Sequence, residues 1–247
     1  MSPDDLEIWL NHFEYHAQRP RRMPPGLPDR LEPEERRLIS SSIATFQLGE
    51  QSEGSALLRA AQRFAAAHQV PSLVRITELF IREEQRHAAL LRDFMVDHEI
   101  ALKSTDWTDG AFRRLRRLAG WELYLHVLIC AELIGNVYYR ALESATGCQR
   151  LKILCRTVVS EELAHVGFES QALLAMRARR PAALRVLMSG MHRAFFAGTA
   201  TIVWLTHGSL LRHCGYNARS FLRACLAQYA FYLEPVRALL AAASRDS

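Results

Sequence analysis

The sequence has few of the features that mark secreted proteins. Its 247 residues include five cysteines and no CxxC pair, and this odd, scattered set argues against a disulfide scaffold and for reduced thiols. Residues 1–20 lack the apolar run behind a basic cluster that a signal peptide needs. We therefore expect a cytoplasmic protein.

Long uninterrupted apolar segments and basic recognition motifs are also scarce. The most apolar stretch, residues 194–211, is interrupted by two glycines, three threonines and a histidine, so it predicts a buried helix and no membrane span. The formal net charge is +5, but basic residues are scattered among acidic ones on helical faces. Without a recognition motif, this charge does not predict nucleic-acid binding.

Alternation of apolar and polar residues between turn signals is missing as well, so a sheet is not expected. Helical periodicity predicts a short helix over residues 1–17, capped by Ser2, and a proline-rich arm that completes an N-terminal segment of residues 1–32. Residues 33–247 then form a single domain. We predict four long helices. The first three cover about residues 33–68, 71–98 and 111–145, and the fourth follows Gly147 and ends at about residue 180. Two additional C-terminal helices are predicted in 181–247.

The four long helices pair into two hairpins joined by a longer polar connection around residues 106–110. This is the pattern of an all-α four-helix bundle with a crossover connection.

Two Glu-x-x-His motifs lie on stripes that are otherwise apolar: Glu84 with His87, and Glu162 with His165. At an offset of three, a carboxylate and an imidazole share one helical face about one turn apart, so both can reach the same metal ion. Buried carboxylates persist only when they are paired or bound to metal, because an isolated buried charge is costly. The two motifs therefore predict a cation site in the core.

Lone glutamates on the other two helices could complete that site. Glu132 interrupts an apolar stripe on the third long helix, and Glu50 or Glu53 does so on the first. The motifs repeat at one interval, since 162 − 84 = 78 and 165 − 87 = 78. Strict repetition from Glu132 leads to position 54 and favours Glu53, whereas a small insertion would favour Glu50. Both remain candidates.

These motifs resemble those of the ferritin-like superfamily of carboxylate-bridged dimetal proteins, which includes rubrerythrins, ribonucleotide reductase small subunits and bacterial monooxygenases. The resemblance covers a dimetal core of about residues 33–180. The run Glu83-Glu84-Gln85-Arg86-His87 is similar to the Asp-Glu-x-Arg-His of oxygen-activating members, with glutamate in place of the leading aspartate. The second motif lacks the arginine.

The resemblance implies two metal ions, their first-helix ligand being Glu50 or Glu53. The spacing of Glu50 from Glu84 is admissible in this superfamily, and the run Phe46-Gln47-Leu48-Gly49-Glu50 slightly favours Glu50. Glu83 and Glu161 are expected to orient the imidazoles. Carboxylate and imidazole donors without thiolate suit two iron ions, or manganese or a mixed pair, better than zinc. The candidate ligands are Glu50, Glu53, Glu84, His87, Glu132, Glu162 and His165.

The expected function is that of a diiron oxidoreductase that activates dioxygen to oxidise a small or lipid-like organic substrate, with an external electron donor. Tyr139 is a candidate catalytic redox or proton donor, although a core position with a hydrogen-bonded hydroxyl is the commoner role. The two C-terminal helices are expected to wall a substrate pocket. A homodimer is admissible. The alternative is a ferritin-like or rubrerythrin-like protein that sequesters iron or removes peroxide.

Overall fold

The computed structural model describes residues 1–51, 54–105 and 120–234. These residues form eight α-helices and no strand, which confirms the predicted all-α class. The helices are α1 (Pro3–Gln18), α2 (Pro33–Glu50), α3 (Ser55–His68), α4 (Ser72–Asp97), α5 (Trp121–Ser144), α6 (Gln149–Ala178), α7 (Ala182–His213) and α8 (Ala218–Leu233).

Local capping chemistry sets several of these ends. The Ser2 hydroxyl accepts a hydrogen bond from the Asp5 backbone N–H, and the Asp5 carboxylate accepts one in return from the Ser2 N–H. Asn217 and Ser220 form the same reciprocal pair at the start of α8. Such pairs satisfy backbone N–H groups that have no partner within the helix. The predicted helix over residues 1–17 is confirmed, and so are two helices, α7 and α8, in the C-terminal segment.

The prediction of one long helix over residues 33–68 is wrong, because α2 ends at Glu50 and α3 begins at Ser55. Gly54 takes a left-handed conformation with φ of 66° between them. A Cβ atom at this position would lie 2.5 Å from Cγ2 of Ile81 on α4, so both the backbone angle and the close packing require glycine. Glu53 lies outside the described residues.

Within the described residues, the third predicted helix is interrupted at Gly120, and α5 begins at Trp121. Gly120 has extended backbone angles and precedes α5 as its N-cap, so a helix running unbroken from 111 to 145 is wrong. The predicted connection at 106–110 and the start of this helix lie outside the described residues.

The helix α5 lies at the centre of the packing. Eighteen of its 24 residues are buried, and it packs most extensively on α6 while also contacting α3, α7 and α8. On the other side, α4 contacts α1, α2, α3 and α6. A helix that is apolar nearly all round is expected in such a central position.

Two apolar clusters leave a polar layer between them. Phe80 belongs to one cluster and Leu91 to the other, with Glu84 and His87 between them along α4. On α6, Val158 and Val166 likewise belong to different clusters and flank the second Glu-x-x-His motif. The two motifs therefore lie at the same junction inside the protein.

The N-terminal helix packs onto this core. Leu6 and Phe13 of α1 are buried in the first cluster, and the Phe13 ring stacks on His165 with centroids 5.8 Å apart. Trp9 packs so closely on α6 that a Cβ atom at Gly167 would lie 2.9 Å from its ring. Residues 1–17 thus contribute directly to the wall of the polar layer.

The helix α7 is long and apolar enough to cross a membrane by length and composition alone, with a mean hydropathy of 1.3 over its most apolar window. Only 39% of that window is buried, so the segment is less buried than predicted. Its buried residues, including Phe196, Thr199 and His207, face the other helices.

Candidate metal centre

Four helices deliver six of the predicted ligands to one place. Two groups could each hold a metal ion, and in each group the candidate donor atoms all lie within 4.8 Å of one another. The groups share Glu84 and Glu162, which therefore lie between the other donors. The first group is Glu50, Glu84, His87 and Glu162, and the second is Glu84, Glu132, Glu162 and His165. We call these six residues the acidic cluster.

Each imidazole of the acidic cluster is held from its outer side by a carboxylate of the other motif. His87 Nε2 lies 2.8 Å from Glu161 Oε2, and His165 Nε2 lies 3.2 Å from Glu83 Oε2. The carboxylate partners expected for the histidines are thus present, and the pairing is crossed between α4 and α6. A carboxylate on one ring nitrogen fixes the tautomer and directs the other nitrogen inward.

The single arginine of the two motifs serves both of these carboxylates. Arg86 Nη2 lies 3.2 Å from Glu83 Oε1 and 2.5 Å from Glu161 Oε2. Arg86 therefore compensates the charge on both outer carboxylates, which explains how the second motif can lack an arginine of its own.

The inner nitrogens point at carboxylate oxygens. His87 Nδ1 lies 3.0 Å from Glu162 Oε1, and His165 Nδ1 lies 3.0 Å from Glu84 Oε1. Although these distances are short, the buried atoms His87 Nδ1 and Glu84 Oε1 form no hydrogen bond of acceptable geometry with any residue that the structure describes. Buried polar atoms that face each other without hydrogen bonding suit a cation that both could ligate.

The electrostatics of the acidic cluster show an excess of negative charge. Burial, together with Glu84 and Glu162 nearby, raises the pKa of Glu50 well above its ordinary value. Burial disfavours the charged form of His87, but the hydrogen bond to Glu161 and the nearby negative charge of Glu162 outweigh it and raise its pKa to about 10. The pKa of His165 is raised well above its ordinary value, because Glu162 outweighs burial there too. Protons thus occupy the cluster wherever no other cation neutralises it.

Tyr139 contacts the acidic cluster directly. Its hydroxyl donates a 2.7 Å hydrogen bond to Glu50 Oε1, and the side chain is buried. Burial and the neighbouring Glu50 raise the pKa of Tyr139 well above its ordinary value, so the phenol stays protonated. Its geometry fits a group that orients Glu50, and its catalytic role stays a prediction.

A cavity of about 180 Å³ adjoins the acidic cluster. Glu50, Glu84, Glu132 and Glu162 line it, together with apolar side chains from α2, α3, α4 and α5. Of the two C-terminal helices that were expected to wall a pocket, α7 lines the cavity and α8 contributes no lining residue. The lining residues of α7 are Thr199, Ile202, Val203, Thr206 and His207, which form one helical stripe.

Glu169 also lies close to the acidic cluster, although it was not among the predicted ligands. Glu169 is fully buried, and neither carboxyl oxygen has a hydrogen-bond partner within the part of the chain that the structure describes. Burial raises its pKa well above the ordinary value, although His165 opposes this. The signal was available, because Glu169 follows Glu162 by seven positions and so lies on the same helical face.

A second buried polar group, which we call the arginine cluster, lies toward the C-terminal end of α6. Arg177 Nη2 lies 2.8 Å from His192 Nδ1 and 3.4 Å from His126 Nδ1. His192 Nε2 lies 3.0 Å from the His126 carbonyl oxygen and 3.3 Å from Cys130 Sγ. The Tyr229 hydroxyl lies 3.2 Å from His192 Nδ1. These five residues mostly satisfy one another.

A third group, Asp29, His98 and Cys148, also has donor atoms close enough for a metal. Here Arg150 lies 2.8 Å from Asp29 Oδ2, and its positive charge opposes a cation. This group instead ties the proline-rich arm to α4 and α6.

No protein-family model, curated protein or solved structure matches the chain. The argument for a function therefore depends on the acidic cluster and on the cavity beside it.

Proposed function

We propose that this protein is a ferritin-like diiron oxidoreductase, cytoplasmic, which activates dioxygen to oxidise a small or lipid-like organic substrate with electrons from an external donor. In this proposal α2, α4, α5 and α6 are the helices of a four-helix bundle with a crossover connection between α4 and α5. The observation that carries the proposal is the convergence of four carboxylates and two imidazoles from these helices beside an apolar cavity.

The donor set favours iron or manganese. Carboxylates and imidazoles without thiolates suit these ions, and two groups that share Glu84 and Glu162 suit a pair of them. Two bound iron ions would supply the redox electrons and open coordination positions that dioxygen activation requires. Manganese and a mixed pair are the alternatives that metal analysis distinguishes.

Each side chain has a defined part in this arrangement. Glu84 and Glu162 would contact both ions, while His87 and His165 would each bind one through Nδ1. Glu50 would complete the group with His87, and Glu132 the group with His165. Glu161 and Glu83 hold the imidazoles, and Tyr139 holds Glu50 through its 2.7 Å hydrogen bond.

The cavity supports an enzyme over an iron store. Its walls beside the four carboxylates are mainly apolar, with residues such as Phe46, Leu57 and Val203. Enclosed apolar space with a few polar groups is typical of small-molecule sites. A protein that only sequestered iron would need a hydrophilic route for the ion and no apolar chamber.

Metal loading tests the proposal. Purified protein, grown separately with iron and with manganese, should contain about two ions per chain, since each of the two groups holds one. With added ferrous iron and dioxygen, uptake should stop near that ratio. Continued uptake far beyond two ions per chain, in a large spherical assembly, would favour the storage alternative, and absence of bound metal would reject both.

Paired substitutions test the first-helix ligand. Glu50→Ala should lower the metal content below two ions per chain, because Glu50 lies in the group with Glu84, His87 and Glu162. Glu53→Ala should leave the metal content unchanged. The opposite result would assign the ligand to Glu53.

A further inference from the structure

One side of α7 is exposed along most of the helix and carries no charged side chain. Its residues follow one another at intervals of three or four positions, which places them on one side of the helix. Met191 and Leu205 are 65% and 75% exposed, and the others are exposed as well. We call this side the outer face of α7, and it consists of Leu184, Leu187, Met191, Ala194, Gly198, Thr201 and Leu205.

The opposite side of α7 is packed in the core. Phe196, Ala200 and Leu211 are fully buried, and the helix contacts α2, α5 and α8. A helix that is apolar on nearly all sides is normally buried on all sides. Because α7 leaves its outer face exposed, that face has the character of a binding surface for a protein or a membrane.

The end of α6, α7 and α8 also hold the positive charge of the protein. Residues 170–233 include eight arginines, no lysine and no acidic residue. The whole chain has 31 basic and 26 acidic residues, so the rest of it has 31 − 8 = 23 basic residues against 26 acidic ones. The outer face therefore lies in the one long segment of the sequence where positive charge is not balanced by negative charge.

Arginines lie near both ends of the outer face. Arg179 and Arg185 are exposed close to its start, and Arg212 follows Leu205 by seven positions, which places it on the same side of the helix. None of these three arginines forms an ion pair with a carboxylate of the residues that the structure describes. Apolar side chains flanked by such arginines match an anionic membrane surface, because lipid tails cover the apolar groups and lipid phosphates attract the arginines.

A second copy of the chain fits the outer face less well. Antiparallel pairing of two α7 helices would bring the end with Arg185 to the end with Arg212, and parallel pairing would place identical arginines side by side. Paired helices are normally flanked by opposite charges, which residues 170–233 do not supply. A membrane span fits poorly too, because the packed side of α7 would have to leave the core.

We infer that the outer face of α7 docks the protein on an anionic membrane surface, with the helix lying in the plane of the lipid headgroups. Leu187, Met191 and Leu205 enter the edge of the lipid layer, and the exposed arginines bind lipid phosphates. The inference goes beyond the proposed function and does not depend on the acidic cluster. Vesicle binding and metal content can therefore fail separately.

Sedimentation with vesicles tests the docking. Full-length protein should bind vesicles of phosphatidylcholine with about one-third phosphatidylglycerol at least tenfold more tightly than vesicles of phosphatidylcholine alone, because several arginines contribute. Salt at about 0.5 M should weaken the binding, because it screens the attraction to the lipid phosphates. Equal binding to both kinds of vesicle, no binding to either, or binding that salt leaves unchanged would overturn the inference.

Paired apolar substitutions test the outer face. Leu187→Gln/Met191→Gln should weaken binding to the anionic vesicles about tenfold, because both side chains would lie among the lipids. Leu187 and Met191 are 58% and 65% exposed, and Val96 and Ile8 on other helices are 57% and 65% exposed. Ile8→Gln/Val96→Gln is therefore the matched control and should bind normally. Equal binding of the two variants, with melting temperatures showing both folded, would contradict the docking face.

Paired charge substitutions test the arginines. Arg179→Gln/Arg185→Gln should weaken binding to the anionic vesicles about tenfold, since each arginine near the surface contributes to the attraction. Arg59→Gln/Arg63→Gln removes the same charge from exposed positions of α3 and should bind nearly as the wild type does. An equal loss in both variants would show a response to net charge alone and would contradict the inference.

Analytical ultracentrifugation without lipid tests the other occupant. The mass of the protein in solution should be the same for the wild type and for Leu187→Gln/Met191→Gln. A wild-type dimer that this variant converts to a monomer would assign the outer face to a second copy of the chain and would overturn the inference.

Discussion

The acidic cluster and the arginine cluster are both buried, both draw residues from α5 and α6, and both contain two histidines. The pKa of His87 is raised to about 10 and that of His165 is also raised. Burial lowers the pKa of His192 to about 4 and that of His126 to about 3. Histidine is therefore protonated and positive in the metal-free acidic cluster but neutral in the arginine cluster.

The neighbours explain this difference. In the acidic cluster, carboxylates outnumber imidazoles, and among the described residues His87 Nδ1 and Glu84 Oε1 form no hydrogen bonds. In the arginine cluster the neutral imidazoles accept from Arg177, and no carboxylate of the described residues forms an ion pair with it. Neutral imidazoles can accept hydrogen bonds from the buried cation Arg177, whereas carboxylates in excess over imidazoles suit an additional cation.

The largest expected effect is on metal content. His87→Ala and His165→Ala should each lower it from about two ions per chain to one or fewer, because each removes the only imidazole of one group. His192→Ala, in the arginine cluster, should retain both ions. Elemental analysis of the three variants measures this. Full occupancy in the His87→Ala/His165→Ala double variant would show that the acidic cluster is not the metal site.

Arg177→Met should lower the stability of the protein and leave its metal content unchanged. The substitution leaves two buried imidazoles without their donor, so the free energy of unfolding should fall by about 2–3 kcal/mol. Denaturant titration measures the loss, and metal analysis should still give about two ions per chain. Loss of metal with unchanged stability would reverse the roles of the two clusters.

The arginine cluster should lower the stability of the protein as the pH falls from 6.5 to 5. The folded pKa values of His126 and His192 lie below the ordinary value of 6.5, so the unfolded chain binds more protons and stability falls as the pH falls. The loss should be about 2 kcal/mol per histidine at pH 5.

The acidic cluster should act in the opposite direction in that window through Glu50, whose pKa burial and Glu84 raise well above its ordinary value. The folded chain keeps a proton there that the unfolded chain loses, so this contribution to stability rises as the pH falls. The histidines of the cluster have raised pKa values, so their stabilisation is fully present below pH 6.5, while the lowered pKa of Glu162, which lies at about 2, acts only at lower pH. Denaturant titrations of metal-free wild type and His192→Gln at pH 6.5 and 5 check this. An identical pH dependence in both proteins would assign the effect elsewhere.

The smallest expected effect is at Glu169, which belongs to neither cluster. Glu169→Leu removes two buried oxygens that have no hydrogen-bond partner among the residues described, so the metal-free protein should gain about 1 kcal/mol in unfolding free energy. Glu169→Gln keeps the polar group and should gain less. Metal content should stay the same in both. A marked destabilisation by leucine would show that Glu169 has a partner in solution.

Helical periodicity was sufficient to predict the all-α class and the stripes that bury Glu84, His87, Glu162 and His165. It could not predict the break at Gly54, because that turn depends on the close approach of Ile81 from another helix. Nor could it predict that Phe13 stacks on His165, since residues 1–17 are joined to the core by an irregular arm.

The sequence by itself determined which acids and histidines share a helical face, because spacing along one helix follows from the helical repeat. Only the tertiary structure decided how the faces meet: that Glu161 holds His87 and Glu83 holds His165, that Arg86 serves both carboxylates, and that Glu50 receives the Tyr139 hydroxyl. These contacts join residues far apart in the chain. The rotation and offset between packed helices, which no local pattern encodes, set their geometry.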